Sequence, residues 1–177
     1  MQVVIKILSE FQGIIGATVG VIATLIVTSV IKNLGKIYIY FRDWGIEFYK
    51  MSVAGDHIIS EIKEASYCSF SFEMEIMSSS ELPKALRDIK VRFYNSDNKL
   101  LVESIPQDES TRKVSTGGSR IEPIKIINLP SKQMIYLNVS GYIKTENIKN
   151  LNKWKKVYFE AFDNRSRKVK SMIHKNQ

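Results

Sequence analysis

The sequence predicts a mainly β protein with one amino-terminal helix that is apolar and long enough to cross a membrane. Two observations lead to this prediction. Residues 11–31 contain no charged side chain, whereas the chain after Gly35 consists largely of short runs in which apolar and polar residues alternate. Alternation with a period of two is typical of strands that have one face in a core and the other in water.

The apolar segment reads FQGIIGATVGVIATLIVTSVI and is followed by Lys32 and Lys36. A helix of this length would extend about 30 Å, which matches the hydrocarbon thickness of a bilayer. Signal peptides have shorter apolar regions, of about 7 to 15 residues, followed by a small-residue cleavage site that this chain lacks. A retained membrane span is therefore favoured over a cleaved signal or a buried soluble helix. We assign residues 1–35 to this segment and 36–177 to a β domain.

The cations that flank the segment predict its orientation. The carboxyl flank carries slightly more positive charge than the amino flank, so we expect the amino terminus outside and the β domain in the cytoplasm. Cationic and tryptophan side chains favour the lipid headgroup layer. The residues predicted to contact the membrane surface are Lys32, Lys36, Arg42 and Trp44.

Small side chains recur every four residues within the apolar segment, at Gly16, Gly20, Thr24 and Thr28. Such a stripe lets a second helix approach closely, so it is a candidate pairing face for a homo-oligomer. The alternative explanation is that glycine and threonine are frequent in membrane helices generally.

Eight or nine short strands are predicted after the span. The clearest is SFSFEMEIM, residues 69–77, in which Phe70, Phe72, Met74 and Ile76 share one face. Residues 81–88 are expected to form about one turn of helix, and 106–119 and 146–153 are expected to be polar loops. This pattern predicts an antiparallel sandwich, with a small barrel as the alternative. The other predicted strands are 36–41, 45–50, 89–94, 100–105, 121–129, 134–143, 154–162 and 168–173.

Positive charge is concentrated at the carboxyl terminus. Residues 153–177 carry eight basic and two acidic side chains, and so hold six of the eight net positive charges. A solvated face, contact with anionic lipid and binding of nucleic acid all explain such a cluster, but no recognition motif accompanies it and nucleic acid is disfavoured. The predicted basic patch comprises Lys153, Lys155, Lys156, Arg165, Arg167, Lys168 and Lys170.

No catalytic or metal-binding signature is present. The single cysteine, Cys68, and the two histidines, His57 and His174, fall short of the roughly four ligands of a structural zinc site. The neighbours Asp56 and His57 would point to opposite faces of a strand, so they do not form an acid–base pair. We expect no metal, no cofactor and no enzymatic activity.

Three stretches resemble a group of small uncharacterised proteins of Gram-positive bacteria and their mobile elements. The matching stretches are residues 10–49, 67–95 and 126–143. Proteins of this group pair one amino-terminal span with an immunoglobulin-like β-sandwich, and the resemblance implies that fold. It implies no activity and no site residues. The chain departs from true immunoglobulin domains because it has no second cysteine for an inter-sheet disulfide.

The predicted function is that of a membrane-anchored, non-catalytic β-sandwich that binds a protein partner at the membrane surface. Residues 106–119 and 144–153 are the first regions in which we expect contacts, since loops at the ends of a sandwich are common binding surfaces. The alternative is a defence or toxicity effector whose β domain senses a ligand and whose span oligomerises in the bilayer.

Overall fold

The computed structural model describes residues 12–52, 57–116 and 118–176, which contain two helices and eleven strands. The helices are α1 (Gln12–Asn33) and α2 (Thr145–Leu151). The strands are β1 (Ile37–Met51), β2 (His57–Ile59), β3 (Tyr67–Ser78), β4 (Lys84–Tyr94), β5 (Leu100–Ser104), β6 (Gln107–Ser115), β7 (Gly118–Pro123), β8 (Ile126–Leu129), β9 (Met134–Lys144), β10 (Lys156–Phe162) and β11 (Lys168–Lys175).

The strands form two antiparallel sheets that enclose one core. The larger sheet has six strands in the order β2-β1-β3-β9-β6-β7. The smaller sheet has five, in the order β11-β10-β4-β5, with β8 also paired to β4. The prediction of a mainly β sandwich is confirmed, and the small barrel is excluded because the strands divide between two separate sheets.

Strand β3 lies at the centre of the larger sheet and shows the predicted alternation. Its inward side chains Phe70, Phe72 and Met74 are almost fully buried and pack against core residues of the smaller sheet such as Phe93 and Phe159. Its outward side chains are partly or fully exposed. The two-residue period of the sequence therefore reports correctly which face of this strand meets the core.

Gly141 on β9 leaves room for an aromatic ring of the core. A Cβ at this position would lie 2.2 Å from Cζ of Phe70, which is far inside van der Waals contact. Glycine is therefore required by the close approach of the neighbouring ring, since any side chain would displace Phe70.

The first two predicted strands are one strand in the structure. β1 runs through the polar interruption between them with a bulge between Arg42 and Gly45, where Asp43 has a φ of 50°. A bulge lets a strand absorb extra residues without ending its pairing, and β1 stays paired with β3 on both sides of it. The prediction of a break at this position is wrong.

The predicted helical turn at 81–88 is also wrong. Residues 84–88 belong to β4, where Leu86 is buried and pairs with Ile127 of β8. Alanine, leucine, lysine and arginine favour a helix by less than about 1 kcal/mol per residue, so pairing with β8 and burial of Leu86 outweigh this preference. The positive φ of Asp88 then shifts the alternation, so that Ile89 is again buried.

Both predicted polar loops contain regular structure. Residues 106–119 include β6, which forms a hairpin with β7 at the edge of the larger sheet. Residues 146–153 overlap α2, in which Ile148 and Leu151 are almost fully buried. Two apolar side chains three residues apart, in an otherwise polar stretch, are the signal that would have indicated a short helix with one buried face.

Helix α1 passes directly into the sandwich. Ser80 donates a hydrogen bond from Oγ to the carbonyl of Lys32 (3.1 Å), and Lys36 donates its N–H to Oγ of Ser79 (2.9 Å). At Gly35 the φ of +154° and the approach of Ser80 leave no space for a Cβ, which would lie 2.4 Å from the Ser80 nitrogen. We call residues 32–36 and 79–80 the joint, and these contacts replace a free linker.

Candidate functional site

The joint defines two ends of the sandwich. The proximal end lies beside it and includes the start of β4, where Lys84 donates a hydrogen bond to the carbonyl of Gly35. The distal end is the opposite end of the sandwich, where Tyr49 of β1, Tyr67 of β3 and Lys144 of β9 are in register. Which residues belong to which end decides which can act together.

Exposed aromatic and methionine side chains gather on the outer face of the larger sheet at its proximal end. Tyr38 of β1 is in register with Met77 of β3 and Met134 of β9. Two residues further along β1 and β9, Tyr40 and Tyr136 lie on either side of Glu75 of β3. The tyrosines and Met134 are 42 to 54% exposed. We call Tyr38, Tyr40, Met77, Met134 and Tyr136 the tyrosine face.

Two polar contacts lie within or beside the tyrosine face. Arg42 forms an ion pair with Glu75 (3.1 Å), and 64% of the arginine side chain remains exposed. A hydrogen bond to Glu73 is the main cause that raises the pKa of Tyr136 to about 12. The face thus combines exposed tyrosine rings with one ion pair, whose carboxylate, Glu75, lies between Tyr40 and Tyr136.

Trp44 requires a correction. The sequence placed it at the membrane surface, but its indole stacks on Phe70 (ring centroids 6.0 Å apart) and on His174 (5.8 Å), and it is half-buried against the core. The bulge in β1 accounts for this, because it changes the face to which the residues after Arg42 point. The ring is thus explained by packing inside the sandwich.

The other residues predicted to contact the membrane lie at or near the joint. Lys32 is in the last turn of α1 and Lys36 precedes β1, and both are exposed. Arg42 lies further along β1 and is paired with Glu75. Contact of these three side chains with lipid stays a prediction.

The predicted basic patch is not one surface. Lys156 pairs with Tyr94 at the distal end of β10, and Lys153 and Lys155 directly precede it. Arg165, Arg167 and Lys168 lie at the proximal end, beyond Phe162. Six strand residues separate the two groups, or about 20 Å at 3.3 Å per residue. The sequence interpretation joined the two groups because they are close along the chain. In the structure the first group lies at the start of β10 and the second lies beyond its end, so β10 separates them.

Between these groups, the outer face of the smaller sheet is organised around a buried carboxylate. Glu160 is 4% exposed and is paired with Arg92 (2.6 Å), Lys168 (2.7 Å) and Lys170 (3.1 Å). Tyr94 also donates a hydrogen bond to it (2.8 Å). Burial acts to raise the pKa of Glu160, but these hydrogen bonds and the nearby cations prevail and lower it to about 2. The sequence did not single out this residue.

We call Glu160, Arg92, Lys168, Lys170 and Tyr94 the Glu160 cluster. Two further contacts order it, since the ammonium of Lys170 also lies over the rings of Tyr94 (4.4 Å) and Tyr158 (4.1 Å). A cation in contact with aromatic faces and a carboxylate is held in place. Part of the basic patch therefore has a structural role within the sheet.

A groove of about 450 Å³ opens at the proximal end, between the joint and the turn that links β10 to β11. We call it the proximal groove. Five cationic side chains and one carboxylate line it, and they come from the joint, β4 and the β10–β11 region. Those side chains are Lys36, Lys84, Arg167, Lys168, Lys170 and Asp163.

The small-residue stripe lies along α1, whose described side chains are exposed over most of its length. A Cβ built on Gly16 or Gly20 would meet no atom within 4 Å, and all four residues of the stripe are exposed. Thr24 returns its hydroxyl hydrogen bond to the carbonyl of Gly20 (2.8 Å), which satisfies the polar group within the helix. Pairing through this stripe stays a prediction.

Reactive side chains give no catalytic arrangement in the ranges that the structure describes. Cys68 is fully buried, and burial raises the pKa of its thiol to about 12. His57 is exposed at the distal end, with the edge of its ring against Tyr67. Among the described residues, no group of three or more histidine, cysteine or acidic side chains is placed to hold a metal ion.

The sandwich corresponds to a known sequence family. Residues 35–175, which begin within the joint and end at the last strand, match the YopI Ig-like domain. This chain belongs to that family. A relative that is 36% identical over 170 residues, spanning 95% of this chain and 96% of its own length, is the SPbeta prophage-derived uncharacterized protein YopI of Bacillus subtilis (strain 168). Membership therefore assigns the immunoglobulin-like fold and no activity.

Solved structures are only distantly similar. The apo PmoF2 PCuAC domain matches with a TM-score of 0.37 and 10% identity, over 80% of this chain and 93% of that one. An uncharacterized beta-sandwich protein from Clostridium difficile 630 matches with a TM-score of 0.31 and 13% identity, over 79% and 85% of the two chains. Similarity at this level adds nothing to the family assignment.

Proposed function

We propose that the chain is a membrane-anchored, non-catalytic interaction module whose tyrosine face binds a protein that is itself held at the membrane. The observation that supports this most directly is the exposure of the tyrosine face beside the joint. Tyrosine and methionine are enriched in protein interfaces, where they give a large contact area with little loss of conformational entropy. A partner confined to the same bilayer would reach the proximal end more readily than the distal end.

Anchoring is supported by the apolar surface of α1. Residues Gln12–Lys32 form a stretch of 21 residues in which no side chain that the structure describes is buried in the protein. Large apolar side chains such as Leu25 and Ile26 are more than half exposed. A helix that is apolar on all sides needs a bilayer or another protein around it.

Anchoring and retention are tested on the full chain expressed in bacterial membranes. After extraction with alkaline carbonate the protein is expected to remain in the membrane pellet, and its intact mass should include the amino-terminal segment. Release into the supernatant, or a mass that lacks this segment, would contradict the proposed span and favour a cleaved signal.

Orientation is tested by cysteine labelling. Asn98 is exposed in the turn between β4 and β5, and the native Cys68 is buried, so a single new cysteine would dominate the reaction. In intact cells, Asn98→Cys is expected to resist a membrane-impermeant maleimide and to react after the cells are opened. Labelling in intact cells would place the sandwich outside.

Partner binding is tested by site-specific photocrosslinking in intact membranes. A photoreactive phenylalanine analogue at Tyr40 or Tyr136 should give the same protein adduct, and the same analogue at Tyr142 should not. Tyr142 is a matched control because it is 50% exposed on the same outer face of β9 but lies about 20 Å away from Tyr136, six residues further along the strand. Equal adducts at all three positions, or lipid adducts alone, would rule out the tyrosine face.

Pairing of two copies through α1 is compatible with this function and needs its own measurement. In a membrane reporter of helix association, Gly16→Leu combined with Gly20→Leu should weaken the signal because the larger side chains hold the helices apart. Thr18→Leu is the control, since Thr18 lies outside the stripe and bonds its own helix at Ile14. An unchanged signal for the double variant would remove the predicted pairing face.

A further inference from the structure

The proximal groove collects cations from parts of the chain that are far apart in sequence. Lys36 comes from the joint, Lys84 from the start of β4, and Arg167 and Lys168 from the region that links β10 and β11. Forty-eight and eighty-three residues separate these three contributions. Sheet formation therefore assembles a positive site that no contiguous motif encodes.

The carboxylate in the groove is already satisfied by the turn around it. Oδ1 of Asp163 accepts the backbone N–H groups of Arg165 (2.8 Å) and Arg167 (2.9 Å), and Oδ2 accepts the Arg167 side chain (2.8 Å). These bonds hold the turn closed. Asp163 thus forms its ion pair with Arg167, and its charge acts on Lys84 only through space.

The lysines of β11 are likewise directed at a carboxylate outside the groove. Lys168 and Lys170 both pair with Glu160 on the outer face of the smaller sheet. Their ammonium groups are shared with that residue and are partly exposed. Among the residues that the structure describes, Lys36 and Lys84 are the cations of the groove that form no ion pair with a carboxylate.

Lys84 is held in an electrostatically unfavourable position. Its ammonium donates to the carbonyl of Gly35, and the charges of Arg167, Asp163 and Arg165 act on it. Burial, and then the charge of Arg167, lower the pKa of Lys84 although Asp163 acts to raise it, so on balance its surroundings disfavour its own charge. An anion placed between these groups would remove that penalty and would accept charge-assisted hydrogen bonds from them.

We propose that the proximal groove binds a phosphate group, carried either by an anionic phospholipid headgroup or by a soluble phosphate ester, with Lys84 and Lys36 as its principal ligands. A phosphate group carries several oxygens that accept charge-assisted hydrogen bonds from ammonium groups, and lysine is a common phosphate ligand. Because the groove adjoins the joint, a spanning α1 would place it at headgroup level. The lipid form of the proposal rests on the proposed anchoring, whereas phosphate recognition itself does not.

The test uses the full chain in a neutral detergent, so that its outcome does not depend on membrane insertion. Isothermal titration is carried out with dihexanoyl phosphatidylglycerol, dihexanoyl phosphatidylcholine and inorganic phosphate, at low and high salt. Saturable binding of the phosphatidylglycerol that is stronger than that of inorganic phosphate identifies a lipid ligand. Comparable binding of inorganic phosphate identifies a soluble ligand, and the site stands in either case.

Lys84→Gln is expected to weaken binding of the preferred probe about tenfold, since it removes one charge-assisted hydrogen bond. Lys149→Gln removes the same charge from α2 at the distal end and should leave binding unchanged. Lys84→Arg, which retains the charge, should bind within about threefold of the natural chain. An unfolding curve for each variant separates loss of binding from loss of folding.

Absence of saturable binding for all three probes would overturn the proposal. It would also be overturned if Lys84→Gln and Lys149→Gln weakened binding equally, because the effect would then reflect net charge alone. If Lys84→Gln is poorly folded, Lys36→Gln serves as the second variant. Normal binding by a folded Lys36→Gln variant would exclude the groove as the site.

Discussion

The two outer faces of the sandwich differ in how their side chains are held, although both derive from the same alternation in sequence. On the smaller sheet Glu160 is buried beneath Arg92, Lys168 and Lys170 and forms an ion pair with each of them. On the larger sheet the rings of the tyrosine face are about half exposed. The outer face of the smaller sheet is therefore covered by its own ion pairs, whereas that of the larger sheet leaves apolar surface available to a partner.

On these two sheet surfaces the charged side chains matter for folding and the aromatic side chains are available for binding, which is the reverse of the roles that polar and apolar residues usually have. Removal of one member of a buried charged cluster leaves the others uncompensated and destabilises the fold, whereas exposed tyrosines contribute little to stability and are available for binding. Substitutions on the first face should therefore change folding, and substitutions on the second should change association.

The largest expected effect comes from the Glu160 cluster. Glu160→Gln should lower the free energy of unfolding by about 2 kcal/mol, because three neighbouring cations lose a buried carboxylate but retain part of their hydration. Glu75→Gln is the matched control on the other face, where the partner Arg42 is mostly exposed, and should cost less than about 0.5 kcal/mol. Urea unfolding at pH 7 measures both. Equal losses would remove the difference between the faces.

Low pH should remove the contribution of the Glu160 carboxylate to the free energy of unfolding. Its pKa is about 2 in the folded protein against an ordinary value of 4.5, so its contribution is complete above about pH 4.5 and is lost as the pH falls towards 2. Urea midpoints of the natural chain and Glu160→Gln should therefore converge between these two pH values. A gap that stays constant down to pH 2 would show that the carboxylate charge is not the cause.

The reactivity of Cys68 provides a third measurement of the difference in stability between Glu160→Gln and Glu75→Gln. Its buried thiol, with a pKa of about 12, should react with a maleimide only when the sandwich opens. A loss of 2 kcal/mol in Glu160→Gln corresponds to labelling about thirtyfold faster, whereas Glu75→Gln should change the rate less than about threefold. Rapid labelling of the natural chain under native conditions would contradict the burial of this residue.

The smallest effect concerns the border of the tyrosine face. Glu73→Gln should lower the pKa of Tyr136 from about 12 towards its ordinary value of 10, because the hydrogen-bonded carboxylate is the main cause of the shift. Difference absorbance at 295 nm during an alkaline titration measures this, with Tyr136→Phe to assign the signal. Stability at pH 7 should not change measurably. A pKa near 10 in the natural chain would show that the two side chains are not in contact.

The alternation of residues predicted the core better than it predicted the elements at the rim. Phe70, Phe72 and Met74 were placed correctly because an inward strand face needs only local sequence. The helix at 145–151 and the strand at 107–115 were missed because their patterns are polar and short, and they form where neighbouring elements supply pairing or cover.

The candidate surfaces were recovered only in part. The sequence identified the basic residues but joined them into one patch, and it placed Trp44 outside a core to which it belongs. The tyrosine face and the Glu160 cluster were not predicted, since each depends on the order and register of strands that are distant along the chain.

The sequence by itself determined the long apolar helix, the mainly β composition and the family of this protein. These properties follow from residue type and local spacing, which are independent of how strands are ordered. Only the tertiary structure decided that Lys36 and Lys84 share a groove, and that three cations surround Glu160. The physical reason is that strand pairing, set by packing of the whole core, chooses which distant residues become neighbours.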